Sequence, residues 1–223
     1  MNNITTARLY DASGSLAEPW FQATTYPWEL LPVIKEMIRT LIEKGLPGYT
    51  EVEPGVWVGE NVKIAKTATI EPPAIIGANT EIRPGAYLRG NVLCGEECVL
   101  GNSSELKNCV LLKHVQVPHY NYVGDSILGN FAHMGAGSIC SNLKSDGRAV
   151  VIHDGDVSYE TGLRKIGGLL GDHADIGCGC VLNPGTVIGK GSRVYPLTSV
   201  RGVIAEGVIV KSLHDIVVME ERG

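Results

Sequence analysis

The residues with the most chemical potential gather in one stretch, VPHYNYVGDSILGNFAHMGAGSICSN, residues 117–142. His119 follows Pro118 directly, and Tyr122, Asp125, His133 and a Gly135-Ala136-Gly137 run stand downstream of it. An imidazole is the natural general base near neutral pH. A run of small residues lets the backbone come close to a ligand. Upstream lie two cations, Arg89 and Lys107, separated by 18 residues. Taken singly, each of these has an ordinary structural reading: a surface histidine, a solvated charge, a turn glycine. What decides between the readings is the set of elements that must position them.

Those elements follow a period of six. From Val58, apolar residues recur at Ile64, Ile70, Ile76, Ile82, Leu88, Cys94, Leu100, Leu106 and Leu112. The beat returns at Leu170, Ile176, Leu182, Ile188, Val194 and Val200. A helix would show steps of three and four. A hexapeptide beat is the signature of a parallel β-helix, in which each hexapeptide gives a short strand and a corner, and three hexapeptides close one coil. Residues 18 apart then stack, so Arg89 falls directly above or below Lys107. About seven coils fit. Between Leu112 and Leu128 the register slips by two, with Pro118 at the position where an apolar residue belongs. Such a break can re-aim a side chain, and His119 comes right after it.

The totals agree with this architecture. The chain has 223 residues, 28 glycines and only 6% aromatics, which suits a repetitive β fold built on Val, Ile and Leu. The net charge of −5 and the lack of a Lys/Arg cluster argue against nucleic acid. No apolar run reaches membrane-spanning length, and the N-terminus lacks a basic start with an apolar core, so a soluble, cytoplasmic protein is expected. The six cysteines, at 94, 98, 109, 140, 178 and 180, do not show zinc-knuckle spacing and are expected to be reduced, with no metal. Three segments are expected: an N-terminal segment, 1–50; the β-helix, 51–212; and a tail, 213–223, as a cap or frayed end. Residues 27–44 read as a helix with an apolar stripe of Leu30, Ile34, Met37, Ile38 and Leu41, suited to capping the first coil or meeting a partner chain. Residues 141–169 leave the beat and read as a loop ejected from the coil, and long loops in compact repeats are often functional.

The run HYNYVGDSILGNFAHMGAGSICSN, preceded by ELKN at 105–108, resembles the acetyltransferase half of the bifunctional bacterial enzymes that make UDP-N-acetylglucosamine. The likeness covers residues 83–210. It implies a left-handed β-helix, a homotrimer, and transfer of acetyl from acetyl-CoA to the amine of an amino-sugar phosphate such as glucosamine 1-phosphate. It implies His119 as general base, Arg89 and Lys107 on the sugar phosphate, and Tyr122, His133 and Asn142 on the acceptor. The N–H of Ala136 would hold the thioester oxygen, with Cys178, Pro196 and Lys211 along the coenzyme. His133 stands where the family has Asn, and Cys178 where it has Ser. Asn142-Leu143-Lys144-Ser145-Asp146-Gly147 replaces the family's Asn-Tyr-Asp-Gly turn, and no nucleotidyltransferase half is expected. Two other readings stay open: a non-catalytic β-helix that binds sugar nucleotides, and a carbonic anhydrase-like zinc enzyme using His114, His119 and His133.

Overall fold

A computed structural model describes residues 4–212 and the backbone of 215–218. From Val56 onward the chain winds as a parallel β-helix with three sheet faces. The first face stacks Val56–Val58, Ala74–Ile76 and Val92–Cys94, the ends of Glu105–Leu111 and Tyr122–Leu128, then Gly168–Leu170, Thr186–Ile188 and Val203–Ile204. The second face runs through Lys63–Ile64, Glu81–Ile82, Val99–Asn102, Gln116–His119, His133–Met134, Asp175–Ile176, Arg193–Val194 and Val208–Ser212. The third face carries Thr69–Glu71, Tyr87–Arg89, the starts of Glu105–Leu111 and Tyr122–Leu128, Ile139–Cys140, Val181–Leu182 and Ser199–Val200.

The core is the inward side chain of each hexapeptide. Ile76, Ile82, Leu88, Cys94, Leu100 and Leu106 form one cluster with Leu170, Ile176, Leu182, Ile188, Val194 and Val200. Burying each Ile or Leu contributes roughly 1.5–3 kcal/mol. The first coil has only one covered side, and there Ile64 stays 40% exposed. The antiparallel strand Thr50–Glu53 pairs with Val56–Val58 and covers this edge. At the other end, Asp215–Val218 turns back antiparallel on Val208–Ser212. The rest of the expected tail, 213–223, lies outside the described residues.

The N-terminal segment does not cap the first coil. It has two short helices, α1 (Thr6–Leu9) and α2 (Glu18–Ala23), then a 3-10 stretch, Pro27–Val33, that continues into α3 (Ile34–Lys44). The expected single helix over 27–44 is thus split, because Pro32 has no N–H for an α-helical bond. Leu30, Ile34, Met37 and Ile38 are fully buried as the stripe requires, but their partners are the outward residues of the first face: Ile75, Leu93, Val110, Ile127, Leu169 and Val187. These alternate with the inward residues, as a strand's period of two dictates. An apolar outer face on successive rungs demands a cover along the side of the coil, and the N-terminal segment supplies it.

The segment ejected at 141–169 is not a bare loop. It contains the hairpin Val151–Asp154 and Val157–Glu160, which folds back over the same flank. Tyr159 packs 5.4 Å from Tyr26 and 5.9 Å from Trp28, and Val150 and Ile152 are buried in the flank cluster. Among the described residues, no helix is long and apolar enough to cross a membrane.

Candidate functional site

The break in the beat is distributed differently from the sequence expectation. The inward residues run Leu106, Leu111, Val117, Val123, Leu128, Met134 and Cys140, and all are buried. The two missing residues are lost singly, at the corners Leu106-to-Leu111 and Val123-to-Leu128. Leu112 therefore faces the flank, and Val117 rather than Pro118 takes the inward position. Each shortened corner turns on one residue with positive φ, Asn108 at 47° and Asp125 at 48°. Asn and Asp tolerate this region because the short side chain can bond locally.

His119 ends the strand Gln116–His119 on the opposite corner, between the second and third faces, and is exposed. Its N–H donates to Asn121 Oδ1 at 3.0 Å. Its carbonyl accepts from Gly137 N at 3.0 Å. Because Gln116 pairs with His133, His119 falls one rung from Ala136. The column continues: Gly179 N donates to Ala136 O at 2.8 Å, and Leu197 N to Cys178 O at 2.9 Å. Ala136, Cys178 and Pro196 thus stack on successive rungs. The N–H groups of Ala136 and Cys178 donate to no group among the described residues, whereas the flanking N–H groups of Gly135, Gly137, Gly177 and Gly179 are all bonded. The close stacking requires glycine: a Cβ on Gly135 would lie 2.6 Å from Cys178 N, and one on Gly177 2.5 Å from Pro196 N. The corner therefore presents an exposed imidazole beside free backbone donors on a rigid column.

One contributor escaped the sequence reading. Asn121 is 3% exposed and donates through Nδ2 to Gly135 O at 2.8 Å and to Ser138 Oγ at 3.0 Å. With its Oδ1 on His119 N, it fixes the histidine's corner to the turn that carries Ala136. A lone Asn two residues past His119 gave no signal, because only the coil brings 121 against 135 and 138.

The third face and its far corner hold the other group. Leu88 pairs with Leu106, so Arg89 and Lys107 are one rung apart, as the period of 18 requires. Arg89 Nη1 reaches Glu105 Oε1 at 2.7 Å, and its guanidinium lies 5.9 Å from the Tyr87 ring. Lys107 Nζ lies 3.7 Å from Asp125 Oδ2. Asp125, 6% exposed, is the hub: its oxygens accept from Asn108 Nδ2 at 2.9 Å and from Asn142 Nδ2 at 2.6 Å. Asn142 Nδ2 also donates to the Tyr122 hydroxyl at 3.2 Å. Burial first, then the charges of Glu105 and Asp125, push the Tyr122 hydroxyl above the usual phenol range, so it stays protonated. Gly124 makes room for this contact, since a Cβ there would sit 2.5 Å from the Tyr122 hydroxyl oxygen.

Two expected contributors stand apart. His133 lies on the outer side of the second face, with Nδ1 2.8 Å from Asp175 Oδ1. Lys211 is exposed on the last strand of that face, level with Tyr195 by the Val194–Val210 pairing. The histidines weighed for zinc are not convergent: His114 stacks on Phe131 at 4.4 Å and pairs with Glu97, while His133 holds Asp175. Among the described residues, no three His, Cys, Asp or Glu side chains are placed to hold an ion together.

Residues 70–161 match the family described as GMPPB C-terminal domain. The bifunctional sugar-1-phosphate nucleotidylyltransferase/acetyltransferase of Sulfurisphaera tokodaii is 31% identical over 197 residues, 83% of this chain and 47% of its own length. The bifunctional protein GlmU of Methanococcus aeolicus is 30% identical over 228 residues, 87% of this chain and 55% of its own. The chain thus spans about half the length of these curated relatives. Among solved structures, AntD, an N-acyltransferase from Bacillus cereus crystallised with dTDP and coenzyme A, is similar with a TM-score of 0.46 and 18% identity, covering 79% of this chain and 91% of that one. The resemblance to bifunctional nucleotidylyltransferase/acetyltransferases carried by residues 105–142 therefore extends over most of the chain.

Proposed function

We propose that this chain is an acyltransferase that moves acetyl from acetyl-CoA to the amine of an amino-sugar phosphate. The observation that carries the reading is the column at the His119 corner: an exposed His119 one rung from the free N–H of Ala136, continued by Cys178 and Pro196. The names of the curated relatives support acetyl transfer and sugar-1-phosphate chemistry.

In this reading, His119 takes a proton from the acceptor ammonium or amine as nitrogen attacks the thioester carbon. The carbonyl oxygen becomes an oxyanion against the Ala136 N–H, which donates to no group among the described residues and is free to receive it. The C–S bond then breaks, and coenzyme A leaves as thiolate and takes up a proton, giving the amide. No acyl-enzyme is needed. Arg89 and Lys107 hold the sugar phosphate on the third face, and Tyr122 and Asn142 hold the sugar. Coenzyme A follows the Ala136–Cys178–Pro196 column towards Lys211. His133 reaches an acceptor only if it leaves Asp175 or serves a neighbouring chain. The exposed third face would pack in a homotrimer with closed symmetry, and the protein would act in the cytoplasm.

Release of coenzyme A thiol from acetyl-CoA, measured with glucosamine 1-phosphate and other amino-sugar phosphates, tests the reading. Acceptor-dependent release supports it. Coenzyme A and sugar-phosphate binding without release by any amino sugar would favour a binding protein.

A further inference from the structure

A cavity of about 340 Å³ lies at the remaining corner of the coil, between the first and second faces and away from both His119 and Asp125. Leu93, Val110 and Leu112 give it a buried apolar wall. The turn at 13–17 of the N-terminal segment forms another wall, and Tyr49 completes it. The segment is clamped to the coil at the cavity's edge: Asp11 N donates to Asp172 Oδ2 at 2.8 Å, and Asn130 Nδ2 donates to Asp11 O at 2.7 Å. The cavity thus exists only where the N-terminal segment is docked.

Its polar groups divide into donors and acceptors. Ser15 Oγ is buried and has no hydrogen-bond partner among the described residues. A buried hydroxyl costs free energy unless a partner meets it. Burial first, then the charge of Glu96, push the Tyr49 hydroxyl above the usual phenol range, so it keeps its proton. Lys113 adds an ammonium to these two hydroxyls. The acceptors are the carboxylates of Glu96 and Asp11, of which Asp11 spends Oδ1 on Ser13 N at 3.1 Å. Glu96 and Lys113 stand on successive rungs of the corner, since His114 N donates to Glu96 O at 2.9 Å. Yet neither side chain makes an ion pair among the described residues.

We infer that this cavity binds a free apolar α-amino acid, with its carboxylate on Lys113 and the Ser15 and Tyr49 hydroxyls, its ammonium on Glu96 and Asp11, and its side chain on Leu93, Val110 and Leu112. The charges decide the class. A phosphate or a fatty acid would meet two carboxylates for one cation. A simple amine would leave Lys113 and the buried Ser15 hydroxyl unmatched. A zwitterion answers both signs within one small head. The volume sets the size: at about 30 Å³ for each water, the cavity has room for roughly eleven non-hydrogen atoms, the size of leucine or phenylalanine. The site stands apart from the His119 corner and does not rest on the acyltransferase reading. A ligand here touches both the 13–17 turn and the coil, so it binds the docked segment and stabilises the folded chain.

Titration calorimetry and thermal unfolding of the whole chain with L-leucine, L-methionine and L-phenylalanine test it. Glycine, 4-methylpentanoate and 3-methylbutylamine are controls that lack the side chain, the ammonium and the carboxylate respectively. At least one of the three amino acids binds tenfold or more tightly than any control and raises the thermal midpoint. K113Q weakens that binding at least tenfold, and E96Q several-fold. Both side chains are exposed, so the variants keep the parent's midpoint without ligand. Ser15→Ala removes only an unpartnered hydroxyl and weakens binding several-fold, which keeps the test open should a charge variant fold poorly. Binding that is absent for all three amino acids, equalled by any control, or indifferent to K113Q, E96Q and Ser15→Ala overturns the inference. These readouts use no acyl donor, so failure of thiol release and failure of this site are told apart.

Discussion

Two corners of one coil behave in opposite ways. At the corner of His119, the hexapeptide spacing is kept, and Ala136, Cys178 and Pro196 follow in strict vertical order. At the corner of Asp125, each of two successive coils loses a residue, and the backbone gap fills with a side-chain network of Asn108, Asp125, Asn142 and Lys107. The first corner offers backbone donors that are fixed by repetition. The second offers side chains that are fixed by one another. Repetition gives a rigid template that cannot be varied without losing register. Broken repetition gives a place where a loop and a flanking segment can be docked.

The largest expected effect lies at the first corner. His119→Ala should cut acyl transfer about 10²–10⁴-fold, the usual worth of a general base, with no change in thermal midpoint because the side chain is exposed. A variant with full activity would remove His119 from the mechanism. Next comes stability at the second corner. Asp125→Ala leaves Asn108, Asn142 and Lys107 without their acceptor and should cost about 2–3 kcal/mol in denaturant unfolding. If instead the loss is under a few tenths, the network is not what holds this corner. Gly135→Ala tests the repeated corner in the same units: its Cβ meets backbone at 2.6 Å, and a loss of about 1–3 kcal/mol is expected together with weaker coenzyme A binding.

Smaller effects sharpen the contrast through titration. Burial pushes the Cys140 thiol from 9.0 up to about 12. The folded state keeps a proton that the unfolded chain gives up, so this contribution is whole below pH 9 and declines as pH rises from about 9 towards 12. Cys140→Ala should flatten that alkaline decline in unfolding curves. The smallest effect belongs to Cys178, the exposed thiol among six free cysteines. In the native protein, a thiol reagent should modify it first, and Cys178→Ser should leave stability within about 0.5 kcal/mol.

The coils were legible because each inward residue repeats every six positions, whatever lies far away in the chain. Sixteen apolar positions predicted the β-helix, and only Leu112 took a different place, since a step of five cannot be told from a step of six when Leu111 and Leu112 are both apolar. The Arg89–Lys107 stacking was legible for the same reason. The position of the N-terminal segment was not. Its apolar stripe required burial but named no partner, and the outward Ile75, Leu93, Val110 and Ile127 look in sequence like further core.

The sequence by itself thus determined the period, the coil and the inward core, because each depends on spacing within one or two turns of chain. Only the tertiary structure decided that Asn121 ties His119 to the Ala136 turn, that Asp125 gathers two amides and a lysine, and that the insertion and the Leu31–Pro32 turn enclose a cavity with it. Those contacts join residues up to 77 positions apart, as Asn108 and Leu31 are. No local spacing encodes them. They arise where the repeat fails, leaving polar groups and apolar flank that other parts of the chain must satisfy.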